Sequence, residues 1–329
     1  MFYAMSYLDV FSIRSEEEFN ACAVGLFKYQ YENNYVYHQF CRLTSFTGTD
    51  IPHYTKINFL PIELFKSNAI YCGNSAGNHI FTSSGTTGQT PSKHYVKDLG
   101  LYEISFLKGF EFFYGNPSDY CFLFLLPSYL EREGSSLVYM AKILIEKSNN
   151  PSSGFYLNNY LELKEKLIQQ KNKREKTILF GVTYALLDLC ESDIQLDENF
   201  IVIETGGMKG RRKEMIKDEL HEVLKKKLRI KHVHSEYGMT ELLSQAYSKS
   251  DGVFECPPWM RVIIRDPYSP GEFLPFGKTG AINIIDLANQ DSCAFIATQD
   301  LGRIVGPGKF EVLGRMNDAE LRGCNLMVD

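Results

Sequence analysis

Between Ile80 and about Glu255, short apolar, β-prone runs alternate with longer segments whose apolar positions recur every three or four residues. That alternation predicts strand–helix crossover units and a largely parallel sheet. Residues 121–126 (Cys-Phe-Leu-Phe-Leu-Leu) are apolar throughout and are closed by Pro127, the pattern of a strand buried on both faces. Residues 177–180 and 200–203 repeat the signal. Each is followed by a helical segment, about 184–190 and 212–228, and 135–146 reads as a further helix. The periodicity of 212–228 puts Ile216, Leu220, Val223, Leu224 and Leu228 on one face.

The flanks have a different texture. In residues 1–75 a helix-like spacing over 16–31 is followed by a stretch, 51–65, interrupted by Pro52 and Pro61. After Glu255, Pro and Gly turns separate short β runs such as 261–265 and 281–286, which predicts antiparallel pairing. The expected organisation is a helical and loop lead-in over 1–75 packed on an α/β core at 76–255, followed by a small β-rich subdomain at 256–329.

Composition narrows the function classes. A chain of 329 residues with 44% hydrophobic and 23% charged positions has enough apolar material for a sizeable core, which excludes a disordered or collagen-like chain. The formal net charge of −5 excludes non-specific wrapping of nucleic acid, so any anion site must be local. The eight cysteines are scattered without a C-x-x-C or Cys/His zinc spacing, so a metal framework and a redox dithiol are disfavoured. No apolar run suggests a membrane span and residues 1–13 do not read as a signal peptide, so a cytoplasmic location is expected. The basic runs 171–176 and 225–227 read as solvated helix ends.

The sharpest local feature follows the short β run 79–81: Thr82-Ser83-Ser84-Gly85-Thr86-Thr87-Gly88-Gln89, with Lys93 shortly after. Two glycines let the backbone bend close to a ligand, while hydroxyls, successive amides and Lys93 can serve phosphate oxygens. It is not a P-loop, because Gly88 is followed by Gln89 rather than Lys. Taken alone, such a stretch equally describes a Ser/Thr/Gly surface turn. Further on, His234-Ser235-Glu236-Tyr237-Gly238-Met239-Thr240-Glu241 offers an aromatic face, a hydroxyl for phosphate and a carboxylate for Mg²⁺. Thr298-Gln299-Asp300-Leu301-Gly302-Arg303 offers an acceptor for ribose hydroxyls, and Gly314-Arg315-Met316-Asn317-Asp318 a guanidinium.

In this order, S-S-G-T-T-G, G-G, Y-G-M-T-E, T-x-D-L-G-R and G-R-x-x-D resemble the adenylate-forming superfamily of acyl-CoA synthetases, adenylation domains and luciferases. Within it, residues 126–132 (Leu-Pro-Ser-Tyr-Leu-Glu-Arg), 204–211 (Glu-Thr-Gly-Gly-Met-Lys-Gly-Arg) and 321–327 (Leu-Arg-Gly-Cys-Asn-Leu-Met) are most similar to the LuxE-type acyl-protein synthetases. The resemblance runs from Thr82 to the end and says little about the first seventy residues. It implies the large-domain fold of those enzymes: mainly parallel sheets flanked by helices, plus a small β-rich C-terminal subdomain. It implies ATP and Mg²⁺ as partners of the site. Ser83, Ser84, Gly85, Thr86, Thr87 and Gly88 would clamp the β- and γ-phosphates. Gly206, Gly207 and Met208 would line the adenine slot with Tyr237 and Gly238. Thr240 would contact the α-phosphate, Glu241 the magnesium, and Asp300 and Arg315 the ribose.

The implied reaction is activation of a carboxylic acid, expected to be a fatty acid, and passage of the acyl group to the Cys324 thiol, then to a reductase or other acyl-acceptor protein. Arg322 beside Cys324 would favour its thiolate. Two rivals stand beside this: a short acyl- or aryl-CoA ligase of the phenylacetate type, and a non-catalytic nucleotide-binding subunit. The sequence also departs from the superfamily. It ends shortly after Asp318, without the C-terminal lid domain and its catalytic lysine, and no lysine falls between Gly314 and Gly323. Either a partner subunit or another basic residue, Lys93, Lys209 or Lys309, is expected to substitute, or the adenylation step is slow in isolation. His234 is a candidate for the acyl pocket or for a structural role, and Ser128, Tyr129, Arg132 and Ser135 are candidates for the acyl tunnel.

Overall fold

A computed structural model describes residues 10–44, 51–83, 90–127, 134–206 and 215–316, and these fall into two units. One comprises the described residues up to 76 together with those from 258 onward; the other is 77–257.

The first unit opens with two helices, Glu16–Asn33 (α1) and Tyr35–Leu43 (α2). Ser15 caps α1 by accepting from the Glu18 amide, while the Glu18 carboxylate accepts from the Arg14 amide, so orphan donors at the helix start are satisfied. Asn34 ends α1 and caps α2, accepting from the Tyr37 amide. A two-residue strand, Leu60–Pro61 (β1), and a short helix, Leu64–Ser67 (α3), complete this part.

The second unit begins with an antiparallel pair, His79–Thr82 (β2) and Lys93–Val96 (β3), and the helix Leu99–Tyr114 (α4), capped by Asp98. It continues as Cys121–Leu125 (β4), Ser136–Ser148 (α5), Gly154–Tyr156 (β5), Tyr160–Lys173 (α6), Thr177–Val182 (β6), Thr183–Leu189 (α7), Phe200–Thr205 (β7), Lys217–Leu228 (α8) and His234–Tyr237 (β8). The strands β5, β4, β6, β7 and β8 pair in that order, all parallel, so the carboxyl ends of β6, β7 and β8 share one edge. Ala246–Ser248 (β9) and Val253–Glu255 (β10) extend the sheet antiparallel.

Every residue of β4 and β6 is buried, as the continuous apolar runs require when helices cover both faces. Phe122 stacks on Phe124, which packs in turn against Phe155 and Phe180. Strands β6 and β7 each run two residues beyond their predicted ends, to Val182 and Thr205. The expected face of α8 needs correction. Its helix starts at Lys217, Ile216 precedes it in extended conformation and is exposed, and Val223 is only half-buried; the buried side chains are Leu220, His221, Leu224 and Leu228. A polar residue takes a place that the apolar periodicity assigned to Ile216, because His221 has a buried carboxylate to meet.

The first unit resumes with Met260–Arg265 (β11), Gly280–Asp286 (β12), Phe295–Gly306 (β13) and Lys309–Arg315 (β14), an antiparallel meander with β1 added parallel on β13. Gln30 of α1 donates to the carbonyls of Asn289 and Gln290 and accepts from the Ala294 amide, which fastens the helix to the β12–β13 connection. Phe27, Tyr37, Phe59 and Phe295 fill the space beside it. Among the described residues no helix is long and apolar enough to cross a membrane.

Truncating the centre of the aromatic stack tests this core. Phe124→Ala is expected to lower the unfolding free energy by about 3–5 kcal/mol, whereas Ile168→Ala on the exposed side of α6 should change it by less than about 0.5 kcal/mol. Urea denaturation of the two variants measures both.

Candidate functional site

In the β2–β3 pair Thr82 stands opposite Lys93. Beyond it the Ser83 amide donates to the Ser92 carbonyl at 3.1 Å, and the Ser83 hydroxyl accepts from the Ser92 amide at 2.9 Å. The hydroxyl-rich hairpin therefore has a closed neck. Ser84, Gly85, Thr86, Thr87 and Gly88 lie outside the described residues, and Lys93 is exposed. His94 is fully buried, with Nδ1 2.8 Å from the Thr240 carbonyl. A carbonyl can only accept, so this nitrogen carries the hydrogen. The histidine, which the sequence reading did not single out, ties the hairpin strand to the Tyr237–Glu241 corner.

That corner starts at the carboxyl end of β8. Tyr237 is buried, with its ring 5.9 Å from that of Phe254. At Gly238 a Cβ would displace the Glu236 carboxyl from its place. The Leu242 amide donates to the Met239 carbonyl at 3.1 Å, which closes a turn around half-buried Thr240 and buried Glu241. At the neighbouring end of β7, Gly206 has a φ of +72°, a backbone hand that glycine adopts without strain. Among the described residues, a Cβ on Gly206 would meet nothing within 4 Å. The hydroxyl of Thr183, the residue after β6, lies 2.9 Å from both the Gly206 carbonyl and the Glu204 carboxylate and shares its single hydrogen between these acceptors. Gly207, Met208 and Lys209 lie outside the described residues, as do Ser128, Tyr129 and Arg132.

Two buried carboxyls lie at these strand ends with proton affinities shifted in opposite directions. Burial pushes the Glu204 carboxyl up, but Lys217 at 3.0 Å, with hydrogen bonds from His221 and Ser235, outweighs it and leaves the group at about 2. Lys217 also lies over the Phe254 ring, 4.6 Å from its centroid. Glu236 is pushed up to about 7, first by burial and further by Glu204, against the Thr205 hydroxyl and Lys217, which act to lower it. Glu204, Lys217, His221 and Glu236 carried no linear signal beyond the place of Glu236 next to Tyr237. His234 is held down at about 4, chiefly by burial, and its Nδ1 lies 3.2 Å from the Tyr114 hydroxyl. Ser135 serves as the N-cap of α5.

In the other unit Asp300 and Arg315 are cross-strand partners on β13 and β14, with Arg315 Nε 3.3 Å from Asp300 Oδ1. Asp300 is buried while the Arg315 side chain is 80% exposed, so the pair presents an acceptor beside a guanidinium fork, a combination suited to sugar hydroxyls. Thr298 holds the motif from below: its hydroxyl accepts from the Asp300 amide, and its carbonyl accepts from Arg265. Lys309 is exposed on β14, while Arg322 and Cys324 lie outside the described residues. Among the described residues no group of three or more His, Cys, Asp or Glu side chains is arranged to hold a metal ion.

The Glu204–Lys217 pair makes a measurable demand on stability. A carboxyl held below its unfolded value contributes stability that is complete above pH 4.5 and is lost as pH falls toward 2. Lys217→Met leaves that carboxylate buried and unpaired. It is expected to cost about 3–5 kcal/mol at pH 7, with a deficit that shrinks on acidification. Urea denaturation at a series of pH values reads this directly.

Known proteins were then compared with the chain. In solved structures, the model of this chain superposes on a 2-hydroxyisobutyryl-CoA ligase in its postadenylation state with R3-HIB-AMP, at a TM-score of 0.66 and 12% identity, covering 96% of this chain and 72% of that one. The same ligase with 2-HIB-AMP and CoA in its thioesterification state gives 0.64 at 14% identity, over 93% and 70%. ATP-bound MatB from Rhodopseudomonas palustris gives 0.54 at 17% identity, over 74% of this chain and 49% of that one. The chain thus matches about half the length of the MatB structures, and at these identities the likeness shows the fold: that of the adenylate-forming ligases. A sequence search of curated proteins finds no match. The family model described as "Acyl-protein synthetase, LuxE" matches residues 136–329, from the first helix after β4 through both motif corners to the end, and the chain belongs to that family.

Proposed function

We propose that this protein uses ATP to convert a carboxylic acid, of the fatty-acid class, into an acyl-adenylate and then carries the acyl group on Cys324 to a reductase or other acceptor protein. The observation that carries the reading is the meeting of Gly206, Tyr237 and Thr240 at the carboxyl ends of adjacent parallel strands, with His94 fastening the hydroxyl hairpin to the same corner. Open α/β sheets bind ligands at that edge. The residues suit a nucleotide: a left-handed glycine bend at Gly206, an aromatic ring at Tyr237 and a hydroxyl at Thr240, whose carbonyl His94 holds.

In this reaction a substrate carboxylate oxygen bonds to the α-phosphorus and the bond to pyrophosphate breaks; a thiolate then bonds to the acyl carbon and AMP leaves. The attacking carboxylate is already ionised, so the first step needs no base. What the protein must supply is stabilisation of charge on the phosphoryl oxygens, assigned here to Thr240 and the hairpin hydroxyls. Mg²⁺, held by Glu241, would neutralise the same charge and the leaving pyrophosphate.

ATP–pyrophosphate exchange driven by a panel of carboxylates tests the first half. Glu241→Gln is expected to lower the exchange rate by about 10²–10³-fold. Cys324→Ser should leave exchange intact while abolishing hydroxylamine-labile labelling of the protein by radioactive acid. Labelling that persists on Cys324→Ser removes that thiol from the scheme. CoA-dependent AMP release by the same variant identifies a CoA ligase instead, and ATP binding without exchange for any acid identifies a non-catalytic subunit.

A further inference from the structure

We infer that Glu236 is a positioning residue of this nucleotide corner and that its uncharged carboxyl is the working form, clasping the end of β7 to the turn at the end of β8. The inference rests on the nucleotide-site reading above. The β7–β8 ladder ends with Thr205 opposite Glu236, and the Thr205 hydroxyl donates to the Glu236 carboxyl across that last pair. Immediately beyond it the two strands become the Gly206 corner and the Tyr237–Gly238 corner. The other carboxyl oxygen packs where a Cβ of residue 238 would stand, so one side chain sets the spacing of both corners.

The surroundings suit an acid and not an anion. Glu236 is 8% exposed. The groups acting on it are Glu204 from β7, Lys217 from α8, Tyr102 and Tyr114 from α4, and Tyr247 from β9. The tyrosines are all held above their ordinary value, so they stay neutral and contribute neither a counter-ion nor a further anion. The ammonium of Lys217 is committed to Glu204 at 3.0 Å, and Glu204 is itself an anion. Among the described residues no cation forms an ion pair with Glu236. Ionisation would therefore bury a second negative charge, this one without a paired cation among the described residues, at the strand ends proposed to receive a triphosphate and a carboxylate. With the group at about 7, that happens inside the neutral range.

The test compares wild type, Glu236→Gln and Thr205→Val between pH 5.5 and 8.5, reading MgATP affinity by calorimetry and ATP–pyrophosphate exchange by rate. In wild type both are expected to fall as pH rises through about 7, approaching tenfold per unit. Glu236→Gln, a neutral isostere, should keep the wild-type values at pH 6 within about twofold and lose the pH-linked fall. Because ATP titrates identically in both samples, the difference reports on residue 236. Thr205→Val should raise KM for ATP more than it lowers kcat. A fall that persists undiminished in Glu236→Gln overturns the inference, as does a folded Glu236→Gln that neither binds nor exchanges at any pH. Infrared difference titration of wild type gives a reading that needs no variant: the protonated carboxyl band should disappear near neutrality, and its absence at pH 6 also overturns the inference. If no acid drives exchange but MgATP affinity still loses its pH-linked fall in Glu236→Gln, the proposed reaction fails and the role of Glu236 stands.

Discussion

Parallel pairing of β7 with β8 is the constraint on which the proposed nucleotide corner depends. A parallel ladder brings residues of distant sequence to the same edge, and this one stops at Thr205 and Glu236, so that Gly206 and Tyr237 leave the sheet side by side. Side chains then hold what the ladder no longer can. Thr183 secures the Gly206 carbonyl from the end of β6, the Glu236 carboxyl fills the space over Gly238, and His94 reaches the Thr240 carbonyl from β3. Each of these bonds goes to backbone or to a strand end, the contacts that define where a motif sits rather than what it contacts.

The alternation of a strand explains why two carboxyls so close in register differ in proton affinity. Glu204 pairs with Ser235 and Thr205 with Glu236, so the glutamates project to opposite faces of the sheet. On one face α8 brings Lys217 and His221 against Glu204. On the other, α4 and β9 surround Glu236 with tyrosines. A carboxylate with a cation at 3 Å is held well below its ordinary value despite burial, whereas burial and the nearby Glu204 charge raise one whose described partner is a hydroxyl.

The first unit solves a related problem with fewer charges. Arg265 is buried, and its described partners are the carbonyls of Ile282 and Thr298 and the side-chain oxygen of Asn283. Burial lowers the guanidinium to about 10, which still leaves it charged. Its charge-assisted bonds fix Thr298, and Thr298 orients the Asp300 amide. The acidic motif residue is thus placed by a chain of contacts that begins on another strand.

Much of the architecture was legible because its physical cause is local. A strand buried on both faces has to be apolar at every position, so β4 and β6 announce themselves in the chain, and α5 announces its start through the Ser135 cap. The motif corners were legible for a related reason: glycines mark the bends, and the hydroxyls beside them are the donors that the proposed phosphate contacts call for. The charge state of Glu236, the burial of His221 in place of Ile216 and the use of His94 as an anchor were decided only by the tertiary structure. Apolar burial depends on how many water contacts a residue loses, which periodicity records. Proton affinity and hydrogen bonding depend on which few atoms lie within about 4 Å, and segments far apart in the chain supply them.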